Sequence, residues 1–392
     1  MSHPLIDRSP DLTRLRNDGF EVQIKEPNLL IGSVPYVNAK REVRRGTLVS
    51  ELSMAGGVTI KPGTHVAHFV GEFPCKADGT ELGFRHPGGT QAVGNGIAND
   101  HTFSLKRFGT DGYDNYYDKV VTYVGMIESQ AHVIDPTATA RTFRVIPTSE
   151  EQSSFKYFDT ATSRAGIGAV SEKLAMSKVG IIGLGGTGSY VLDFLAKTPV
   201  KEIHLFDDDT FYNHNAFRAP GAASIEELES QPKKVAYFAL KYSHMRWRIV
   251  PHETHITAAT VELLRDMVFV FICIDGGPLK RLIVDQLEQW NVPFIDVGMG
   301  VQLVDGKLRG TLAVATSLAQ SREMARKRIS FIDTAVENEY DGNIQIVELN
   351  AMNAALAVIR WKKACGFYHD FQREHFSSYT IDGDVLLNGD TL

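Results

Sequence analysis

The sequence predicts an α/β fold, a mostly parallel sheet with helices on its faces, preceded by a β-rich or α+β domain. Three observations predict it. From Lys178 onward, short apolar runs alternate with helical patterns. A glycine-rich turn joins the first of these runs to the helix after it. Before residue 150 the pattern changes to short strand-like runs set between dense turn signals.

The chain has 392 residues, which a prior of roughly 150 residues per domain divides into two or three domains. We expect an accessory domain over residues 1–150 and an α/β domain over residues 151–392, joined near the polar stretch from Pro147 to Ser154. Hydrophobic content is 43% and charged content 22%, which excludes general disorder. A net charge of −6, from 41 basic and 47 acidic residues, is no footprint for a nucleic-acid partner. Cys75, Cys273 and Cys365 are the three cysteines; they form no Cys-x-x-Cys pair and no disulfide framework. The polar stretch from Met1 to Asp11 is not a signal segment, and the longest apolar run, Met267 to Ile274, is too short to span a membrane. A cytoplasmic protein without a membrane partner is expected.

In the first half, Gly46 to Leu52, His65 to Gly71 and Lys119 to Ile127 read as strand-like runs. Turns are signalled at Pro62-Gly63, Asp78-Gly79, Pro87-Gly88-Gly89 and Asp111-Gly112. In the second half, Lys178 to Ile182 is an apolar strand followed by a helical pattern through Lys197. Strands follow at Glu202 to Phe206, Arg248 to Pro251, Phe269 to Ile274 and Pro293 to Val297. Between them lie a helix at Lys233 to Tyr242, a helical turn at Val261 to Asp266 and a helix at Leu279 to Trp290. Leu349 to Ala364 is a long Ala-rich helix. Strands alternating with crossover helices imply a parallel sheet covered on both faces.

Gly183-Leu-Gly185-Gly186-Thr-Gly188 occupies the first strand-to-helix turn. Glycines there let the backbone turn sharply and approach a phosphate, and the helix start offers free N–H groups and a positive dipole end. Asp207-Asp208-Asp209 ends the second strand, where an acidic side chain binds ribose hydroxyls in dinucleotide folds. These two features alone also fit a nicotinamide (NAD(P)) oxidoreductase.

The residues after them depart from that pattern. Asp207 and Asp209 are followed by Asn215-x-x-Arg218, Lys233-Lys234, Cys273-Ile-Asp275, Arg281 and Pro293-Phe-Ile-Asp-Val-Gly298. This set, from about Asp159 to Leu392, resembles the adenylation domain of the ubiquitin-activating (E1-like), ThiF and MoeB family, a Rossmann-like fold. Ser163-Arg164 resembles that family's N-terminal arginine, which reaches into the partner protomer's nucleotide site. The resemblance implies a homodimeric enzyme that uses ATP and Mg2+ to adenylate the C-terminal carboxylate of a ubiquitin-like protein. Gly183, Gly185, Gly186, Gly188, Asp207 and Asp209 would bind ATP, with Asp207 and Asp209 serving the ribose and nearby polar contacts. Arg218, Lys234, Arg164 and Asn215 would serve the phosphates, and Asp275 would hold Mg2+. Either Lys233 or Lys234 can match the family lysine; Lys234 is preferred because Val235-Ala236 follows it. Bringing a carboxylate to the α-phosphate joins two anions, so cations are the residue type the chemistry needs.

Thioester-forming relatives carry a nucleophilic cysteine in a crossover segment, which here falls roughly between Ala315 and Gln345 and contains none. Three fates for the adenylate follow: direct hand-off, capture by a hydroxyl (Thr316, Ser317, Ser321, Ser330 or Thr334), or transfer to Cys75 or Cys365. The first two rank level, and the cysteines below them. No zinc is expected, because the paired cysteines that bind it in many relatives are missing. The first half resembles an uncharacterised domain that precedes such adenylation domains in bacterial ubiquitin-like operons. It is expected to recruit the carrier or an E2-like conjugating enzyme, or to be an E2-like module with Cys75 as acceptor. His65 and His68 lie three apart on a strand, on opposite faces, and so form no simple metal pair. A non-catalytic scaffold and adenylation of a small-molecule or peptide carboxylate remain the competing readings.

Overall fold

The computed structural model describes residues 3–25, 27–86, 99–106, 109, 112–148, 150–151, 153–332 and 344–391. The chain divides into two compact units, Met1–Ser153 with Tyr157–Gly168, and Ser154–Lys156 with Ala169–Leu392.

In the first unit, helices His3–Arg8 and Pro10–Asn17 lead into β1 (Glu21–Lys25), β2 (Asn28–Val37) and β3 (Val43–Glu51). A small hairpin of β4 (Met54–Ala55) and β5 (Val58–Thr59) follows, then β6 (Val66–Val70) and β7 (His101–Ser104). β1, β2, β3, β6 and β7 form one antiparallel sheet in that order. The run Lys119 to Ile127 is not a strand: it lies inside the helix Tyr116–Ile134. Val120, Tyr123, Val124 and Ile127 are buried and recur three and four residues apart, the period of a helix face. The Asn115 side-chain carbonyl accepts the Asp118 N–H at 2.8 Å and caps the helix start. The valines and tyrosines made the segment look like a strand, but their spacing packs them with Ile31, Leu48, Phe69 and Phe103 in one core.

The second unit holds β8 (Lys178–Ile182), β9 (Glu202–Phe206), β10 (Ile249–His252), β11 (Phe269–Ile272), β12 (Phe294–Val304), β13 (Lys307–Ser317), β14 (Glu374–Thr380) and β15 (Val385–Thr391). They form one sheet in the order β10-β9-β8-β11-β12-β13-β14-β15. The first five are parallel neighbours, as the alternating pattern predicts. β13, β14 and β15 join antiparallel and extend the sheet beyond what the sequence pattern showed. Successive residues of β8 and β11 serve opposite faces. Ile181 and Phe271 pack with Leu192, Leu195 and Trp361, while Ile182, Val270 and Ile272 pack with Ile283 and Leu287. A strand buried on both sides must be apolar throughout, which is why β8 and β11 read as continuous apolar runs.

From β8 the chain runs outward through β9 to β10, then returns to place β11 on the other side of β8. The crossovers therefore diverge between β8 and β11, and a crevice opens beyond the carboxyl ends of those two strands.

Candidate active site

The glycine turn sits at this divergence. Gly183 has φ +86°, a left-handed conformation, and a Cβ there would come within 2.6 Å of the Cys273 carbonyl oxygen on β11's continuation. A Cβ on Gly188 would run into the Gly183 carbonyl, so the helix Gly186–Ala196 lies directly on the turn. A Cβ on Gly186 would meet the side chain of Asn350, from the helix Val347–Ala364. Gly185 is the N-cap residue and supplies no side-chain acceptor to the free N–H groups behind it.

Asp207 sits at the glycine turn itself. It is buried; one carboxylate oxygen accepts the Leu184 N–H at 2.7 Å and the other the Asp209 N–H at 2.9 Å. Both oxygens are thus committed to holding the glycine turn against the end of β9. Asp209 is the exposed member of the pair, and its carboxylate meets Lys234 Nζ at 2.6 Å. The hydrogen bond from Lys234 holds the Asp209 carboxyl below its ordinary range. Lys234 is buried at the first turn of the helix Lys234–Ser243, with Asp207 also within 3.8 Å of its Nζ. Lys233 is exposed and spends its ammonium on the Asp208 carbonyl. The structure therefore brings Lys234, not Lys233, into the acidic end of β9.

Asn215 and Arg218 stand on the short helix Asn213–Ala216 and just beyond it. Asn215 is buried; its carbonyl oxygen accepts the Tyr212 N–H at 2.8 Å, while its Nδ2 has no hydrogen-bond partner. Arg218 is partly buried and its Nε likewise lacks an acceptor. Burial pulls the Arg218 pKa down, and the charges of Asp275 and Asp209 oppose that pull. Asp275 is exposed and lines the crevice with Gly185, Gly186 and Thr187.

Three crevice-side residues were missed in the sequence: Gln345, Asn350 and Asn353. Gln345 accepts the Gly186 N–H on its side-chain oxygen at 3.2 Å. Asn350 accepts the Thr187 hydroxyl at 3.1 Å and donates to the Arg218 carbonyl at 3.5 Å. Asn353 donates to the Gly298 carbonyl at 3.0 Å. Below the crevice, Lys280 and Asp296 form a buried ion pair at 2.8 Å. Burial raises the Asp296 carboxyl pKa and that of the neighbouring Cys273 thiol, so Cys273 is a packing residue. Arg281 stacks its guanidinium over Phe331, 4.5 Å from the ring centre.

The acceptor candidates separate by exposure. Thr316, Ser317 and Ser321 are buried, Ser330 is exposed, and Thr334 lies outside the described residues. Cys75 is 2% exposed and its thiol donates to the Phe73 carbonyl at 3.4 Å. Burial and the Glu81 charge push its pKa up, the opposite of what a thiolate nucleophile needs, so the environment of Cys75 is that of a packed side chain. Cys365 is pushed up to about 12 by burial. His65 pairs with the Ser104 hydroxyl at 3.0 Å and His68 with the Asn99 amide at 2.7 Å, on separate partners. Arg164 ends the helix Thr160–Arg164 of the first unit and is exposed. Among the described residues, no helix is long and apolar enough to cross a membrane.

The chain is similar to several solved structures. Escherichia coli MccB with ATP is 18% identical over 58% of this chain and 67% of that one, at a TM-score of 0.46. The microcin C7 biosynthetic enzyme MccB in complex with N-formylated MccA is 17% identical over 59% and 70%, at 0.44. PaaA is 18% identical over 57% and 76%, also at 0.44. No curated protein matches. Residues 10–160 match a domain of unknown function, DUF6791. Residues 159–346 match the ThiF family, so the chain carries a ThiF family domain behind an uncharacterised one.

Proposed function

We propose that the second unit is an adenylyltransferase that uses ATP to activate the C-terminal carboxylate of a ubiquitin-like protein. The observation that carries this reading is the pair of donors on one loop, Asn215 Nδ2 and Arg218 Nε, both buried and both without an acceptor. Buried donors left unpaired cost free energy, on the order of 1–3 kcal/mol each, and a phosphate supplies the acceptor. They accompany a glycine turn whose helix N-terminus suits an anion, with Lys234, on the first turn of its own helix, beside the aspartates that follow β9.

In this reading a carboxylate oxygen of the carrier attacks the α-phosphorus of ATP. The bond from that phosphorus to the bridging oxygen breaks, and pyrophosphate leaves with the electron pair. Arg218, Lys234 and Asn215 stabilise the phosphate oxygens as the two anions approach; the protein forms no covalent bond in the step. Asp209, exposed at the end of β9, takes the ribose, while Asp207 keeps the turn in shape. Asp275 would hold Mg2+, which supplies charge neutralisation at the phosphates. Arg164 enters from a partner protomer in a homodimer, and the DUF6791 domain recruits the carrier or an E2-like enzyme.

The test is ATP–pyrophosphate exchange by the full chain with a panel of ubiquitin-like proteins. Carrier-dependent exchange that disappears in Arg218→Ala and in Asp275→Ala, with unchanged circular dichroism, is the expected result. Full exchange in both folded variants would overturn the site assignment. ATP binding without exchange for any carrier would instead favour a small-molecule or peptide carboxylate.

A further inference from the structure

We infer that Gln345 is a displaceable occupant of the phosphate position on the glycine turn, so that nucleotide entry requires the chain before the helix Val347–Ala364 to release its hold. This rests on the nucleotide reading above and adds a gate to it. The Gly186 N–H is in the first turn of its helix and has no intrahelical acceptor. The acceptor it has is the side-chain oxygen of Gln345, at 3.2 Å. That oxygen also lies 3.8 Å from where a Cβ on Gly185 would stand, close against the turn. A neutral amide oxygen therefore sits at the positive end of the helix dipole, where an anionic oxygen binds best.

The two acceptors compete for one N–H. A phosphate oxygen makes the stronger, charge-assisted bond, so it wins when nucleotide is present; the amide holds the place when it is not. Asn353 is a second, independent sign that this crevice is shaped for a ligand. It is fully buried, it lines the crevice together with Gln345, and its side-chain oxygen has no donor. The same helix carries Asn350, which joins Thr187 of the glycine turn to the Arg218 carbonyl. Release of Gln345 thus starts at a helix already tied to both sides of the site. By linkage, whatever draws residues 344–346 away from the turn raises nucleotide affinity, and nucleotide in turn draws them away.

The experiment uses the full chain as wild type, Gln345→Ala and Gln345→Glu. ATP affinity is measured by calorimetry, and amide hydrogen exchange is followed in the peptide containing Gly186 without nucleotide. Losing the competing hydrogen bond should tighten ATP binding in Gln345→Ala by about 3- to 10-fold and speed exchange at Gly186. Gln345→Glu places a carboxylate at the helix dipole and should weaken ATP binding by about 10-fold. Weaker ATP binding in folded Gln345→Ala would make Gln345 a nucleotide ligand and overturn the gate, as would unchanged exchange at Gly186. Failure of both the wild type and Gln345→Ala to bind ATP would overturn the nucleotide reading itself, and the gate with it.

Discussion

Asp207 and Asp209 are two residues apart, yet their surroundings give them different duties. Asp207 is buried, accepts two backbone N–H groups and lies near Lys234. Asp207→Ala strands the Leu184 and Asp209 N–H groups and weakens the compensation of a buried ammonium. Urea denaturation should show a loss of about 2–4 kcal/mol, and ATP binding should fall with it. Asp209 is exposed, and its carboxylate meets Lys234 at 2.6 Å. Asp209→Ala strands no backbone donor, so it should cost less stability than Asp207→Ala while ATP binding weakens. An equal loss of stability in both variants would refute the division of roles. The sequence reading named both aspartates but could not separate them, because the partners that decide the matter are backbone groups of the glycine turn, more than twenty residues away. Asn215, Arg218, Lys234 and Asp275 were legible for the opposite reason. Asn215, Arg218 and Asp275 lie in the loops that follow strand ends and Lys234 opens the next helix, where residue type and position in the βα unit already suggest the chemistry. Asn350 and Asn353 arrive from a distant helix and Gln345 from just before it, and nothing local in a glutamine or an asparagine announces that the glycine turn is its neighbour.

At the scale of elements, close approach of helix and strand fixes the glycine turn. Gly188→Ala would drive a methyl group into the Gly183 carbonyl, which is backbone and cannot rotate away. The helix Gly186–Ala196 must shift, at a cost of about 1–3 kcal/mol or more, and ATP binding should fall even in protein that remains folded. A Gly188→Ala variant with wild-type denaturation and ATP affinity would contradict the packing described. The helix Tyr116–Ile134 carries the other demanding feature, the buried ammonium of Lys119. Its three donors meet the Ser50 hydroxyl at 2.8 Å and the carbonyls of Thr64 and Val66 at 3.0 and 2.7 Å. Burial lowers its pKa from 10.5 to about 8, with the Glu51 charge opposing. Between these values the unfolded chain binds the proton and the folded chain releases it, so stability rises as pH climbs from about 8 toward 10.5. The full effect is about 3 kcal/mol. Above pH 10 it is opposed by Tyr123, whose buried hydroxyl is pushed up. Denaturation of wild type should therefore strengthen between pH 8 and 10 relative to Lys119→Met, and parallel pH profiles would refute the shift. This helix also shows how the strand-like reading of its sequence failed. Its valines and tyrosines favour a strand locally, but their three- and four-residue spacing lays one apolar face on the sheet as a helix.

At the scale of the whole molecule, the site is assembled at the carboxyl ends of the central strands of a single sheet whose order reverses at β8 and β11. The parallel half was readable because β8 and β11 are apolar on both faces and helical patterns alternate with the strands. β14 and β15 were not, since their alternation is short and follows a long helix that ends the readable pattern. One residue assigned by resemblance, Arg164, stands in the other unit, exposed at the end of a short helix. Its proposed role requires two copies of the chain, and that requirement has a quantitative consequence. If each site takes Arg218 from one protomer and Arg164 from its partner, then Arg164→Ala and Arg218→Ala dimers are each inactive alone. A protomer of one variant paired with a protomer of the other makes one site lacking both arginines and one site with both intact. Random exchange of subunits puts half of the dimers in that mixed state, so carrier-dependent ATP–pyrophosphate exchange should return to about one quarter of the wild-type rate. Arginines acting within one chain would leave every site in the mixture short of one of them, and the activity would stay at the level of the separate variants. Sedimentation of the same mixture, with one variant carrying a fluorescent label, establishes that subunits have exchanged, so that an inactive mixture of exchanged dimers counts directly against Arg164 acting across the interface.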